Sequence, residues 1–262
     1  RTRPSAEINI YEKEGNSEII FIIPTPDIKN NITENLTRSL AKYHIIYAES
    51  KGRYFNYAKS VNRAVKEALK YNPKWIIISN NDIIIEDNVD KLYTQLLDLD
   101  NKKIDAVIGA GGPYIFKLCK FNVLYNFLSL VKLTKYKYKY DILKRFKVDY
   151  YIYQPRKFFE FICKSIVSVR NIAFFGEFSI ISPNYILMNN GILFDETYIN
   201  GVEDMDLFLN IVNRDSYGKI HFKLKHLGGY TLGVGDKRNL RLLFNMIYLN
   251  LSLIHISEPT RP

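Results

Sequence analysis

Cysteine is nearly absent. Cys119 and Cys163 are the only two in 262 residues, far apart and without metal-ligand spacing, so no disulfide framework is expected. A reducing, cytosolic setting suits that usage. No uninterrupted apolar run reaches the roughly 20 residues needed to span a bilayer, and no signal-peptide pattern is visible. No internal repeat is present. Acidic residues are outnumbered, 27 against 37 basic, for a net charge of +10. That balance suits anionic partners: nucleotide phosphates, an acidic membrane surface or nucleic acid. A coding bias toward Ile, Asn, Lys and Tyr accounts for the lysine excess equally well. The chain begins at Arg1 without a methionine. Its end, 251–262, resembles a translated sequencing-library adapter and is set aside as a non-native tail, so that 240–250 is expected to open a C-terminal helix that the tail cuts short.

What is present is enough apolar sequence, 47%, to bury the core of one large domain or of a domain with an insertion. The most informative stretch is Trp75-Ile-Ile-Ile-Ser-Asn-Asn-Asp82. A short, β-branched run bounded by polar turn formers reads as a fully buried parallel strand. Ligands of open α/β sheets sit outside the carboxyl ends of such strands, which puts Asp82 where a hard metal ion and a phosphate could meet. An ordinary Asn/Asp turn is the plain alternative.

The rest of the chain alternates strand and helix. Strands are expected at 18–24, 44–49, 75–82, 105–112, 176–182 and 219–224. Helices are expected at 32–43, 56–71, 87–99, 183–190 and 203–213. In the second helix Tyr57, Val61, Ala64/Val65 and Ala68/Leu69 repeat on one inner face. Pro183 suits a first helical turn and Gly191 a helix stop. Such alternation means βαβ units and a mostly parallel central sheet flanked by helices, a Rossmann-like α/β class. Residues 117–170 break the pattern. Rich in Lys, Tyr and Phe, with Lys135-Tyr-Lys-Tyr-Lys-Tyr140 at the centre, they read as an insertion between sheet elements.

Two further clusters could carry chemistry. Gly201-Val-Glu203-Asp204-Met-Asp206 gathers three carboxylates at a helix start. The helix dipole alone would favour that, so an inert acidic first turn is the simple explanation. Against it, a Gly-containing loop precedes the cluster and places it on a rim. His226, after a strand and before Gly228 and Gly229, is the third candidate. A lone histidine there is often structural, but the glycines would let backbone approach a ligand.

In order, these segments resemble a family 2 glycosyltransferase of the GT-A fold, rhamnosyltransferase-like in branch. The stretches that carry the likeness are Ile22-Ile-Pro-Thr25, Asn56-Tyr-Ala58 with Asn62-Arg-Ala64, Ser79-Asn-Asn-Asp82, Gly191-Ile-Leu-Phe-Asp-Glu196, Gly201-Val-Glu-Asp-Met-Asp206, His226-Leu-Gly-Gly-Tyr-Thr231 and Lys237-Arg-Asn239. Each is weak alone; their order and spacing are not. The resemblance implies a single GT-A domain over 17–239 with the insertion inside it. It implies that Asp82, with His226, holds Mg²⁺ or Mn²⁺ against a sugar-nucleotide diphosphate, and that Pro24, Thr25, Glu49, Asn62, Asn81 and Asp82 line the nucleotide-sugar site. Asn80 replaces the family's first carboxylate, and Glu49 stands where an aspartate is usual. Asp204 is implied as general base, with Glu203 beside it, in an inverting transfer from a nucleotide-diphosphate sugar to an acceptor hydroxyl.

The acceptor is then a glycan or a lipid-linked sugar, in polysaccharide, glycolipid or glycoprotein glycan synthesis. The insertion suits an acidic membrane interface, where aromatic rings and basic side chains reach headgroups. That would place a cytoplasmic protein at the inner face of the cell membrane. Basic residues interleaved with aromatics can also track a nucleic-acid strand, but the acidic motifs would then have no purpose, so no nucleic-acid partner is expected. Two rivals remain: a nucleotidyltransferase, against which stands the lack of a glycine-rich, basic loop after the first strand, and a non-catalytic nucleotide-sugar- or membrane-binding GT-A relative, which Asn80 would suit.

Overall fold

The computed structural model describes residues 6–52, 54–111, 114–119, 169–174 and 176–228, together with 241, 244, 245, 248 and 249. The elements in chain order are β1 (Asn9–Lys13), β2 (Asn16–Thr25), α1 (Asn31–Ser39), β3 (Tyr43–Glu49), α2 (Tyr57–Ala68), β4 (Trp75–Ser79), β5 (Ile83–Ile85), α3 (Val89–Leu97), β6 (Ala106–Ala110), β7 (Tyr114–Cys119), β8 (Val169–Phe174), β9 (Phe178–Ile181), α4 (Pro183–Met188), α5 (Glu203–Asn213), β10 (Tyr217–Phe222) and β11 (Leu224–His226).

The main sheet has seven strands in the order β1-β3-β2-β4-β9-β6-β10. β3, β2, β4, β6 and β10 run one way, and β1 and β9 run against them. The α/β class with a mostly parallel central sheet is therefore what the chain adopts. β4 differs from expectation on one side: it is parallel to β2 but antiparallel to β9, with Ser79 opposite Phe178. β5 and β11 form a separate antiparallel pair, and β7 and β8 another two-stranded sheet.

Alternation along β2 explains why its apolar run is continuous. Ile19, Phe21 and Ile23 join one buried cluster with Leu36 of α1, with Leu40 just after it, and with Leu92 and Leu96 of α3. Ile20 and Ile22 point to the opposite face, where α2 packs on β2, β3 and β4. Each face is covered, so each residue of the strand is worth burying, roughly 1.5–3 kcal/mol for a side chain of this size. Trp75 Nε1 donates to Leu96 O at 2.9 Å and pins β4 to α3.

Polar side chains set the helix starts. Asn30, Asn56 and Asn88 each accept a backbone N–H from the first turn of the helix they precede, and Ser182 does so ahead of Pro183. Asn190 and Gly191 carry left-handed backbone after α4, and Gly191 N bonds back to Ile186 O at 2.9 Å. α1 ends earlier than its periodicity suggests, because Tyr43 is needed as the first residue of β3.

The chain divides into two compact units, one of Arg1–Tyr114 with Ala173–Gly235, the other of Ile115–Ile172 with Asp236–Pro262. Most of the expected insertion, Gly229, the Lys237-Arg-Asn239 stretch and the 251–262 tail lie outside the described residues. Of 240–250, the described residues 241, 244, 245, 248 and 249 are helical. Among the described residues no helix is long and apolar enough to cross a membrane.

Candidate active site

The carboxyl ends of β3, β2 and β4 share one rim of the sheet. Thr25 stands opposite Glu49 in the register, and Asn80, Asn81 and Asp82 follow β4. Asp82 is only 3% exposed. The chain continues into β5, which pairs with β11 so that Ile83 faces His226, while Leu227 N donates to the Asp82 carbonyl at 3.0 Å. This pairing brings His226 Nε2 to 3.0 Å from Asp82 Oδ1. The fold thus brings together two residues that are 144 apart in the chain.

A third group at this rim has no sequence signal of its own. Because β9 runs antiparallel to β4, the residues just before β9 sit at the same rim. Asn80 N donates to Glu177 O at 2.8 Å, and Glu177 Oε1 is 3.7 Å from His226 Nδ1. Knowing the direction of β9 would have pointed to Glu177.

Several expected nucleotide-site residues have their polar atoms engaged within the fold. The Asn81 amide donates to Thr25 Oγ1 and Thr33 Oγ1, each at 3.3 Å. Thr25 Oγ1 also donates to Asp27 O and accepts from Asp27 N, which closes the turn after β2. Pro24 is buried in β2 opposite Ala48. Glu49 accepts from Ile28 N at 3.1 Å and lies 3.5 Å from Lys51 Nζ. Asn62, 2% exposed, laces α2 to the 193–196 loop: its Oδ1 accepts from Leu193 N and Phe194 N, and its Nδ2 donates to Phe194 O and Glu196 Oε1.

That loop leads to the acidic motif. Asn200 accepts from Tyr57 N at 2.8 Å and donates to Phe55 O at 2.9 Å. Val202 follows with φ +79°, a left-handed backbone that is an outlier for a β-branched residue. Strain of this sort persists where the surroundings dictate it, commonly beside functional groups. Here it aims the first turn of α5. Glu203 Oε2 accepts from Gly201 N at 2.6 Å, and Asp204 Oδ1 from Met205 N at 2.9 Å. Gly176 makes room for the second carboxylate, since a Cβ there would stand 1.8 Å from Asp204 Oδ2.

The two carboxyls do not titrate alike. Burial, then the neighbouring Asp204 charge, raises Glu203 to about 8. Burial, then the Glu177 carboxylate, raises Asp204 to about 6. Both carboxyls are thus held above the ordinary carboxylate range, and ionisation of one opposes ionisation of the other. Asp206 is also raised to about 6, by burial and then Asp195, against a hydrogen bond from Tyr198. Tyr57, which sequence periodicity assigned to the inner face of α2, is lifted well above an ordinary phenol by burial and then by Glu203, Asp204, Glu177 and Asp82.

These shifts set the sign of the pH dependence of stability. Raised carboxyls hold protons in the folded state that the unfolded chain releases, so the fold is most favoured below about pH 4 with respect to these groups and loses stability as pH rises to about 8. The lowered carboxylates Glu18, Asp87, Asp90 and Asp100 act oppositely, but in the acid range below about pH 5. Urea melts should therefore give a smaller unfolding free energy at pH 8 than at pH 5, and Glu203→Gln should shrink that difference. An unchanged difference in Glu203→Gln would remove Glu203 as its source.

Among the described residues no group of three or more His, Cys, Asp or Glu side chains is disposed to hold a metal ion. Asp82 and His226 offer one hard oxygen and one imidazole nitrogen. The carboxylate suits a hard divalent cation that keeps few protein ligands and completes its shell with substrate phosphates and water, whereas the imidazole is a softer donor than Mg²⁺ prefers.

No protein-family model and no curated protein matches the chain. Among solved structures, the chain is similar to that of a mutant Drosophila beta-1,4-galactosyltransferase 7 in complex with manganese, UDP-Gal and xylobiose, at 11% identity, covering 85% of this chain and 79% of that one, with a TM-score of 0.41.

Proposed function

We propose that this chain is a GT-A glycosyltransferase of family 2, rhamnosyltransferase-like in branch, that moves a sugar with inversion from a nucleotide-diphosphate sugar to an acceptor hydroxyl of a glycan or lipid-linked sugar. The observation that carries the reading is the Glu203–Asp204 pair, a buried and a half-buried carboxyl both held above the ordinary carboxylate range, in the same unit as the Asp82–His226 pair. Asp204 Oδ takes the proton of the acceptor hydroxyl as that oxygen attacks the anomeric carbon. The bond from that carbon to the diphosphate oxygen breaks, and the diphosphate leaves with its electron pair. A single displacement with no enzyme nucleophile inverts the sugar carbon. Glu203, beside it, is also raised, by burial and by the Asp204 charge, which disfavours two negative charges on the pair. A divalent cation, Mg²⁺ or Mn²⁺, held by Asp82 and His226 would neutralise charge on the leaving diphosphate.

On this reading 17–239 is one GT-A domain, and the 117–170 insertion serves the acceptor side at the cytoplasmic face of an acidic membrane. Asn80, in place of a carboxylate, favours one competing reading, a relative that binds nucleotide sugars without turnover. Melting of the full chain against UDP, GDP and dTDP, with and without Mn²⁺, tests the donor site. A ligand at about a hundred times its dissociation constant should stabilise by about 2.7 kcal/mol, roughly 5 °C or more for a domain of this size. Asp82→Ala should lose the manganese-dependent part of that shift. No shift with any nucleotide, from folded protein, would sink the donor site.

A further inference from the structure

His226 stands between two carboxyls. Its Nε2 lies 3.0 Å from Asp82 Oδ1, and its other ring nitrogen, Nδ1, lies 3.7 Å from Glu177 Oε1. The Glu177 backbone is fixed at that spot. Its carbonyl accepts from Asn80 N at 2.8 Å, and the next residue, Phe178, is opposite Ser79 in the sheet. Asp82 is buried, and His226 and Glu177 are half-buried, so their charges are screened less than those of surface pairs.

The two nitrogens of an imidazole point away from each other, so a carboxyl at Nδ1 is turned from an ion at Nε2. Glu177 is therefore placed to hold the ring, not to share a cation with Asp82. A metal ion bound by Nε2 and Asp82 replaces the proton between them. The remaining ring proton then sits on Nδ1, facing Glu177. We propose that Glu177 is a positioning residue of the metal site, accepting from His226 Nδ1–H so that Nε2 keeps its lone pair for the cation. The inference rests on the glycosyl-transfer reading, which puts that cation against the donor diphosphate. It also names the preferred metal. Imidazole adds more to the binding of a transition-metal ion such as Mn²⁺ than of Mg²⁺, which prefers oxygen and keeps its water. By orienting His226, Glu177 favours Mn²⁺.

The test is calorimetric titration of UDP, GDP and dTDP into the full chain, in Mn²⁺ and separately in Mg²⁺. Binding is read rather than turnover because Glu177 also raises Asp204. The parent chain should bind its preferred nucleotide more tightly in Mn²⁺. Glu177→Ala should weaken that binding about 10–100-fold in Mn²⁺, the usual worth of a group behind a metal ligand, and clearly less in Mg²⁺. In a chain that already carries His226→Ala, Glu177→Ala should change nothing further, because a residue acting through another is not additive with it. No loss, an equal loss in both metals, or a loss that persists without His226 would overturn the proposal while the donor site stands. A second readout needs no variant of Glu177. In nitrogen-15 spectra of the histidine-labelled parent chain, with nucleotide and Zn²⁺ as a diamagnetic substitute, His226 should carry its proton on Nδ1 and the metal on Nε2. A proton on Nε2 would also overturn it. If the parent chain binds no nucleotide in either metal, the glycosyl-transfer reading itself falls, and this inference with it.

Discussion

Asp204→Asn should lower kcat by roughly 10²–10⁴-fold, the usual worth of a positioned general base, while nucleotide affinity stays unchanged. Asparagine has the same shape and keeps the acceptor that meets Met205 N, so the substitution removes charge and basicity and little else. It also removes a half-buried carboxylate beside Glu203, raised from 3.8 to about 6 by burial and then the Glu177 charge. Above pH 7 the variant should therefore be more stable than the parent chain in denaturant melts. Turnover falling while stability rises is the signature of a group kept for chemistry. On the parent chain, kcat/KM should rise with pH through about 6, as Asp204 loses its proton. Turnover by Asp204→Asn at the parent rate would move the base to another group.

Asn62→Ala should cost about 3 kcal/mol of unfolding free energy, measured by denaturant melts. Leu193 N and Phe194 N lose their acceptor and Phe194 O loses its donor, all beside the buried side chains of Leu193 and Phe194. Each buried polar group left unsatisfied costs about 1–3 kcal/mol, and partial relaxation of the loop holds the total below the sum. Glu196→Gln is the control. Glu196 is exposed and takes only one bond from Asn62, at 3.2 Å, so its change should stay within about 0.5 kcal/mol. A loss below about 1 kcal/mol for Asn62→Ala would mean that the 193–196 loop holds its shape without α2.

What the sequence made legible follows from where its signals are local. Ile19 to Ile23 and Ile76 to Ile78 announce buried strands because both sheet faces are covered. α5 runs from Glu203 to Asn213, as its periodicity and acidic first turn imply. β1 left no signal, since Asn9–Lys13 is a largely exposed edge strand with no apolar run. The strand expected at 219–224 divides: β10 ends at Phe222, and Leu224 leaves the main sheet to pair with Ile85 of β5. In the site, the residues that carry family motifs were visible, whereas those that position them were not. Glu177 depends on the direction of β9, and Gly176 on the carboxylate it accommodates. Asn200 depends on a contact across 143 residues.

The place of β9 between β4 and β6 governs how the chain can fold. Its four residues lie about a hundred positions after β4 in sequence, yet they join the first half of the sheet to β6 and β10. Until residue 181 has been synthesised, Trp75–Ser79 has a hydrogen-bonding edge with no neighbour, on a strand whose five residues are all buried in the finished fold. Such an edge is a template for pairing with other chains, and its late closure is a long-range step that slows folding and prolongs exposure. Asp204 and Glu177 come together only after that strand is seated. Closure of the β4 edge therefore precedes assembly of the carboxylate site, and a nascent chain that has not seated β9 is both unreactive and prone to aggregate.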